Sequence, residues 1–419
     1  MVEESNCECD HQAHTQADST PGYCRVPDIR FRGFTYAWER RKLDETVSFY
    51  SGLTYSPSDI CDAGGTLVLR SSNVQSGELA FVDNVYVNDS VASSEQVRKN
   101  DLIVVVRNGS RALLGKHAII RDDMPKTVIG AFMTGIRSDE QEFMNALMSS
   151  RAFESEINKN LGATINQITG GMFAEMTFSM PDESEQHAIG SLFFKLDSLV
   201  TLHQRKLNKL HHIKKALLEK MFPTPTNTIP EIRFRGFTYA WERHRVGDFL
   251  TESRVIGNTG LDAKKLTVKL WGKGVVEKNN FGGSEHTQYF TRRKGQFIYS
   301  TLDFLNSAFG VIPEKLDNYE STADLPAFDS GGMNPYFMFF IAIQKSFYLK
   351  YGSIADGSRK AKRIHADTFL NMPITVPTIA EQNLIVEYLQ RIDRLVTLYQ
   401  HQLNKLQAIK KALLEKMFV

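Results

Sequence analysis

"EQHAIGSLFFKLDSLVTLHQRKLNKLHHIKKALLEKMF" at residues 185–222 aligns without gaps to "EQNLIVEYLQRIDRLVTLYQHQLNKLQAIKKALLEKMF" at residues 381–418, and the last ten residues of the two copies are identical. In the first copy apolar residues recur at steps of four and three through Ile189, Phe193, Leu196 and Val200, and the stripe continues at Leu207, Leu210, Leu217 and Met221. The second copy carries the same stripe from Ile385 and Leu389 through Leu403 and Leu406 to Met417. A 4-3 rhythm is a coiled-coil seam rather than the broader stripe of an ordinary surface helix. His203, Lys214 and Lys410 interrupt it. Neither copy contains Pro, and each begins just after one, with Asp182 or Thr378 three residues ahead of Glu185 or Glu381, which is a helix-start signature. At 1.5 Å per residue each segment makes a rod of ~57 Å. Two rods with one seam in the same chain are expected to pair with each other.

A second repeat opens each half. "IRFRGFTYAWER" stands at residues 29–40 and again, unchanged, at residues 232–243. Each half thus reads as opening box, body and closing helix, and the bodies between (residues 41–184 and 244–380) do not align convincingly. "PTPTNTIP" at residues 223–230 is a stiff, proline-rich linker between the halves. The bodies are mixed. "TLVLRSS", "NDLIVVVRNGS" and "GQFIYS" read as strands, whereas "SDEQEFMNALMSSRAFESEINKN" and "NPYFMFFIAIQKSFYLKYG" read as helices. The expected organisation is a disordered tail over residues 1–26, a first domain over 27–181, its helix over 182–222 and the linker over 223–230. A second domain over 231–377 and its helix over 378–419 complete it.

Composition limits the function classes. With 419 residues the chain has room for two domains, and 42% hydrophobic with 23% charged residues is ordinary for a globular protein. The net charge of +2 gives no general affinity for nucleic acid, so any such affinity must come from local patches. No apolar run reaches the ~18 residues of a spanning helix, and the N-terminus lacks the basic and apolar segments of a signal peptide. A cytoplasmic protein without a membrane partner is expected. The four cysteines are Cys7, Cys9, Cys24 and Cys61. Cys7, Cys9, His11 and His14 have no second ligand pair at finger spacing, so no metal site is expected.

Motifs for catalysis are weak. "GSRALLGKH" at residues 109–117 has His117 where a phosphate-binding loop needs Ser or Thr to reach the metal. "NPYF" at residues 334–337 resembles the Asn-Pro-Pro-aromatic box of amino-methyltransferases, but Tyr336 replaces the second proline and no glycine-rich cofactor loop accompanies it. Asn334 as a helix cap before Pro335 explains the stretch better. No catalytic residues are expected. Polar and basic clusters remain in both bodies. In the first they supply Arg70, Asn73, Arg107, Arg111, Lys116, Asn166 and Gln167. In the second, "TRRKGQ" and "GSIADGSRKAKR" supply Arg292, Arg293, Lys294, Arg359, Lys360, Lys362 and Arg363. Such side chains grip phosphates and read base edges. For any single cluster a solvated loop is the competing explanation.

The tandem boxes and tandem helices together resemble the specificity (S) subunits of type I restriction–modification systems, over residues 27–418. The resemblance implies an α+β protein with two mixed α/β target-recognition domains. Two long helices would separate them, pairing as an antiparallel coiled coil with pseudo-twofold symmetry. It implies a non-catalytic subunit that recognises a bipartite, asymmetric target on double-stranded DNA and recruits two methyltransferase subunits and then restriction–translocation subunits. S-adenosylmethionine, ATP and magnesium would then belong to partners, with no cofactor in this chain. On that account Phe31, Phe34, Trp38, Phe234, Phe237 and Trp241 seat each domain against the helices or the methyltransferase, and the bodies read DNA. Two other classes stay open on the residues alone. A self-contained methyltransferase or nuclease would bind cofactor or metal by itself, and a scaffold acting only through its helices would show no salt-sensitive DNA binding.

Overall fold

A computed structural model describes residues 2–4, 26–161, 166–224, 227–278, 284–353 and 363–419. The chain forms two compact units. One comprises Met1–Gln204 with His401–Val419, the other Arg205–Gln400. The long helices, Glu183–Lys220 and Ile379–Lys416, are each divided between the units, so every unit holds the start of one helix and the end of the other.

The first unit contains two four-stranded sheets. In one the order is His117–Ile119, Leu102–Val105, Met133–Arg137, Ser48–Ser51, all antiparallel. In the other, Thr127–Ile129 runs parallel to Thr66–Leu69, which is followed by Val85–Val87 and Ile60–Cys61. Central strands such as Leu102–Val105 are buried on both faces, as a continuous apolar run requires. The helical stretch expected over residues 138–160 is two helices, Gln141–Met148 and Arg151–Asn160. Ser150 breaks it: its side chain accepts from the Phe153 N–H at 3.3 Å and starts the second helix.

The second unit has its own sheet, in the order Leu250–Ser253, Ala327–Ser330, Phe297–Tyr299, Phe309–Val311. A three-stranded sheet (Ile256–Thr259, Gln288–Thr291, Glu320–Ser321) and the hairpin Leu266–Val268/Val275–Glu277 complete it. "NPYFMFFIAIQKSFYLKYG" also divides, into Pro335–Ala342 and Lys345–Gly352. Asn334 caps the first of these, accepting from the Tyr336 N–H at 3.0 Å, so the methyltransferase-like tetrapeptide is a helix start.

Within each unit the helix segments pair antiparallel. In the first, Phe193 lies beside Phe418 while Asp197, four residues later, ion-pairs with Lys410, eight residues earlier. In the second, Lys214 ion-pairs with Asp393, and the Lys206 ammonium sits over the Tyr399 ring at 5.5 Å. Lys214 and Lys410, which look like faults in the seam, are therefore the cationic halves of corresponding ion pairs.

Among the described residues of the tail, Val2–Glu4 is a strand paired antiparallel with Ile29–Phe31, where disorder is expected from the sequence. Cys7, Cys9, Cys24, His11 and His14 fall outside the described residues. Among the described residues no cluster of His, Cys, Asp or Glu could hold a metal ion, and no helix is long and apolar enough to cross a membrane.

Candidate nucleic-acid interface

The opening boxes are joints. Glu39–Lys42, at the end of the first box, pairs with Thr177–Met180, the strand that leads into the first long helix. Glu242–Arg245 pairs in the same way with Pro373–Val376. Gly33 and Gly236 both turn the chain at positive φ, +104° and +102°, a conformation open to glycine at little cost. Arg30 then meets Glu185 in a bidentate pair, Nε and Nη2 each donating at 2.7 Å, with the two side chains 7% and 0% exposed. Trp38 Nε1 donates to the same carboxylate at 3.2 Å. In the second box Arg233 donates to Glu381 at 2.8 and 2.6 Å. The two glutamates thus clamp the box arginines rather than closing capping boxes. The first helix start is capped by Asp182, whose carboxylate accepts from the Glu185 N–H at 2.9 Å and from the Ser184 hydroxyl. Those hydrogen bonds hold it below the usual carboxylate range.

Trp38 and Trp241 are only 1% and 3% exposed. Each ring is packed inside its own unit, Trp38 edge-on to Phe418 just past the helix Ile379–Lys416 and Trp241 edge-on to Phe222 just past the helix Glu183–Lys220. Phe31 and Phe234 pack part-buried on the same cores, and Phe34 and Phe237 are half-buried. The aromatic side chain that each box leaves in solvent is its tyrosine, Tyr36 at 82% and Tyr239 at 87% exposed.

Three polar segments of the first body converge. Arg107 bridges to Gln167, and the Asn108 N–H donates to the Asn166 carbonyl at 3.3 Å. Asn166 Nδ2 returns a bond to the Gly109 carbonyl at 3.1 Å, and Asn108 Nδ2 reaches the Ser71 hydroxyl at 3.0 Å. Arg70, next to Ser71, is half-exposed and pairs with Asp83 at 2.7 Å. Arg107 is exposed, with its guanidinium 5.0 Å from the centre of the Phe132 ring, itself 51% exposed. Phe132 lies in "GAFMTG", which carries no sequence signal for such a platform. Arg111 and Lys116 are exposed and line a cavity of about 500 Å³ with His117, Ser149 and Lys410.

Asn73 does not belong to this surface. It is fully buried, its Oδ1 accepting from the Arg70 N–H at 2.9 Å and its Nδ2 donating to the Ala80 carbonyl at 3.0 Å. It cannot touch a ligand; it fixes the turn that presents Arg70. Asn73→Ala leaves both backbone groups short of a buried partner, and is expected to cost about 1–3 kcal/mol. Chemical denaturation checks this, and no measurable loss would refute the bracing role.

The second body gathers less. Arg292 is 1% exposed, so, like Asn73, it is not part of a binding surface. It donates to Ser321 Oγ at 2.7 Å and to the carbonyls of Ser253 at 2.7 Å and Leu325 at 3.1 Å. Burial lowers its pKa to about 10, so it stays charged near neutrality while bracing the loop over residues 321–325. Arg293 is bound by Asn318, and Lys294 by Glu314 at 2.6 Å, a pairing that raises its pKa. The exposed part of "TRRKGQ" is therefore a turn tied down by its own acidic and amide neighbours. Arg363 is partly exposed and bonds Asp324 at 3.2 Å. Arg359, Lys360 and Lys362 lie outside the described residues, as do residues 162–165 of "GATINQ".

Comparison with known proteins agrees with this construction. The family model described as "Type I restriction modification DNA specificity domain" matches residues 36–212 and 293–408. The chain is 19% identical over 412 residues to the type I restriction enzyme StySPI specificity subunit of Salmonella potsdam, covering 91% of this chain and 88% of that one. The crystal structure of a type I restriction–modification S subunit from M. genitalium superposes with a TM-score of 0.63 at 13% identity, covering 94% of this chain and 99% of the other. Two matched segments that together span most of the sequence, on two units assembled by the same joints, place the chain in the family of type I restriction–modification specificity subunits.

Proposed function

We propose that this chain is the non-catalytic, DNA-reading subunit of a type I restriction–modification complex, and that it recognises a bipartite, asymmetric duplex target. The observation that carries the reading is the contrast between equivalent joints and unlike bodies. The same Arg–Glu clamp and Trp–Phe contact recur in both units. The bodies they carry differ in sheet order and in surface polar groups. Unlike surfaces on equivalent mounts read unlike half-sites.

The first unit reads through Arg70, Arg107, Arg111, Lys116, Asn166 and Gln167. The second reads through Arg293, Lys294, Arg359, Lys360, Lys362 and Arg363. Recruitment of two methyltransferase subunits is supported by equivalent exposed side chains. Tyr36 and Tyr239 protrude from the boxes. Leu199 and Leu202 in the first helix, and Leu395 and Leu398 in the second, are all 37–49% exposed within the same tetrapeptide, "LVTL". S-adenosylmethionine, ATP and magnesium are assigned to the methyltransferase and restriction subunits.

The test exchanges residues 44–175 for the corresponding body of another specificity subunit, leaving the ladder between Glu39–Lys42 and Thr177–Met180 intact. With the methyltransferase present, methylome sequencing should show one half-site changed and the other retained. A change in both half-sites, or methylation by this chain alone, would sink the reading.

A further inference from the structure

The hairpin Leu266–Val268/Val275–Glu277 turns through Lys269, Leu270, Trp271, Gly272, Lys273 and Gly274. The chain has three tryptophans; Trp38 and Trp241 are buried, whereas Trp271 is 59% exposed. Its backbone sits at φ +61°, a left-handed conformation that is a strained outlier for a bulky side chain. The strain is held in place from several sides. The Trp271 N–H donates to the Asn306 carbonyl and the Gly272 N–H to the Ser307 carbonyl, both at 2.8 Å. A Cβ on Gly272 would come within 2.9 Å of Ile343 Cγ2, so the tip rests hard against the end of the helix Pro335–Ala342.

An indole in solvent on a strained backbone contributes little to the fold. Asn or Gly would serve the turn better, and strain retained in this way points to use elsewhere. The neighbours indicate a polyanion with flat apolar faces. Lys269 and Lys273, two residues before and two after Trp271 in the sequence, are both exposed, as is Leu270 at 38%. One loop, residues 301–307, connects this tip to the backbone at Ile364, next to Arg363. Asn306 and Ser307 hold the tip at one end of the loop, and the Thr301 carbonyl accepts from the Ile364 N–H at 3.0 Å at the other.

We propose that Trp271 is a DNA wedge: its indole stacks into a base step of the half-site read by the second unit, while Lys269 and Lys273 hold the flanking phosphates. This rests on the DNA-reading role given above. An apolar side chain that enters a step partly unstacks it, and pyrimidine–purine steps yield most easily. The wedge therefore adds sequence preference without a hydrogen bond, and the half-site should carry a TA or CA/TG step where the ring enters.

The experiment uses the full chain assembled with its methyltransferase subunits and a duplex carrying the target defined by its own methylation pattern. 2-Aminopurine is placed in turn at each adenine of the second half-site. Wild type should raise the fluorescence at one step. Trp271→Asn, which suits the left-handed backbone, should abolish that rise and weaken specific binding roughly tenfold, with the unfolding temperature unchanged or higher. Trp271→Phe should retain much of both signals. Replacing Lys269 and Lys273 by alanine should weaken binding to all sequences and reduce the salt slope by about two. Unchanged fluorescence and affinity in Trp271→Asn overturn the wedge, and so does loss of methyltransferase from that variant, which would make the tip a protein contact. Absence of any sequence preference in wild type is a different failure, that of the DNA-reading role itself.

Discussion

Glu185→Ala should destabilise the first unit by about 3–5 kcal/mol, because it leaves a buried guanidinium without its counter-charge. Arg30 and Glu185 are 7% and 0% exposed, and the lost carboxylate also accepts from Trp38 Nε1. Glu381→Ala should cost the second unit less. Arg233 is 12% exposed, so water can partly replace the carboxylate, and its Nη1 keeps a bond to the Tyr239 carbonyl at 2.7 Å. The double change Arg30→Met with Glu185→Leu should recover most of the loss, since replacing both partners removes the unpaired charge. Hydrogen exchange resolved by unit is the suitable measurement, because two units need not unfold as one transition. An exchange profile of Glu185→Ala matching wild type within 1 kcal/mol would falsify the view of the clamp as the main joint.

That clamp marks the limit of what could be read from the chain. The long helices were legible because a 4-3 rhythm is local: both 38-residue helices begin within two residues of the signalled positions and run through the repeats. The repeated box was legible as part of a frame, from its identity and its aromatic content. Its partner was not, because Arg30 and Glu185 are 155 residues apart and no local pattern joins them. The same reasoning separates the site residues. Arg107 and Asn73 are alike as polar residues in polar stretches, yet Arg107 is in solvent and Asn73 lies under a turn. Arg292 and Arg293 are adjacent and differ only in which side of a strand end they occupy; one is buried and the other is not. Burial is decided by what packs above a residue, and composition does not encode it. The long helical stretches failed at Ser150 and Gln344, where a single helix boundary outweighed an otherwise continuous apolar pattern.

Phe418→Ala should loosen the first unit, although Phe418 lies just past the helix Ile379–Lys416 that closes the second half of the sequence. Its ring is 9% exposed, edge-on to Trp38 at 6.2 Å, and 5.7 and 6.0 Å from the rings of Phe143 and Phe193. Truncating a buried phenylalanine to alanine costs about 3–5 kcal/mol, as transfer energy plus the cavity left behind. Here the cavity opens against the box tryptophan and both neighbouring helices, which are held by their own bonds and can collapse only in part. Phe222→Ala should do the equivalent to the second unit, where Phe222 lies 6.0 Å from Trp241 and 5.5 Å from Phe337. The two variants should therefore cross over. In hydrogen exchange, Phe418→Ala should lower protection around Phe143 and Ile189, and Phe222→Ala around Phe337 and Ile385. If Phe418→Ala acted only on residues 231–377, the exchange of helix ends between the units would be wrong. If the crossed pattern appears, the end of each helix is a structural part of the unit to which the other body belongs. A body transplanted without the opposite helix end would then arrive without part of its own core.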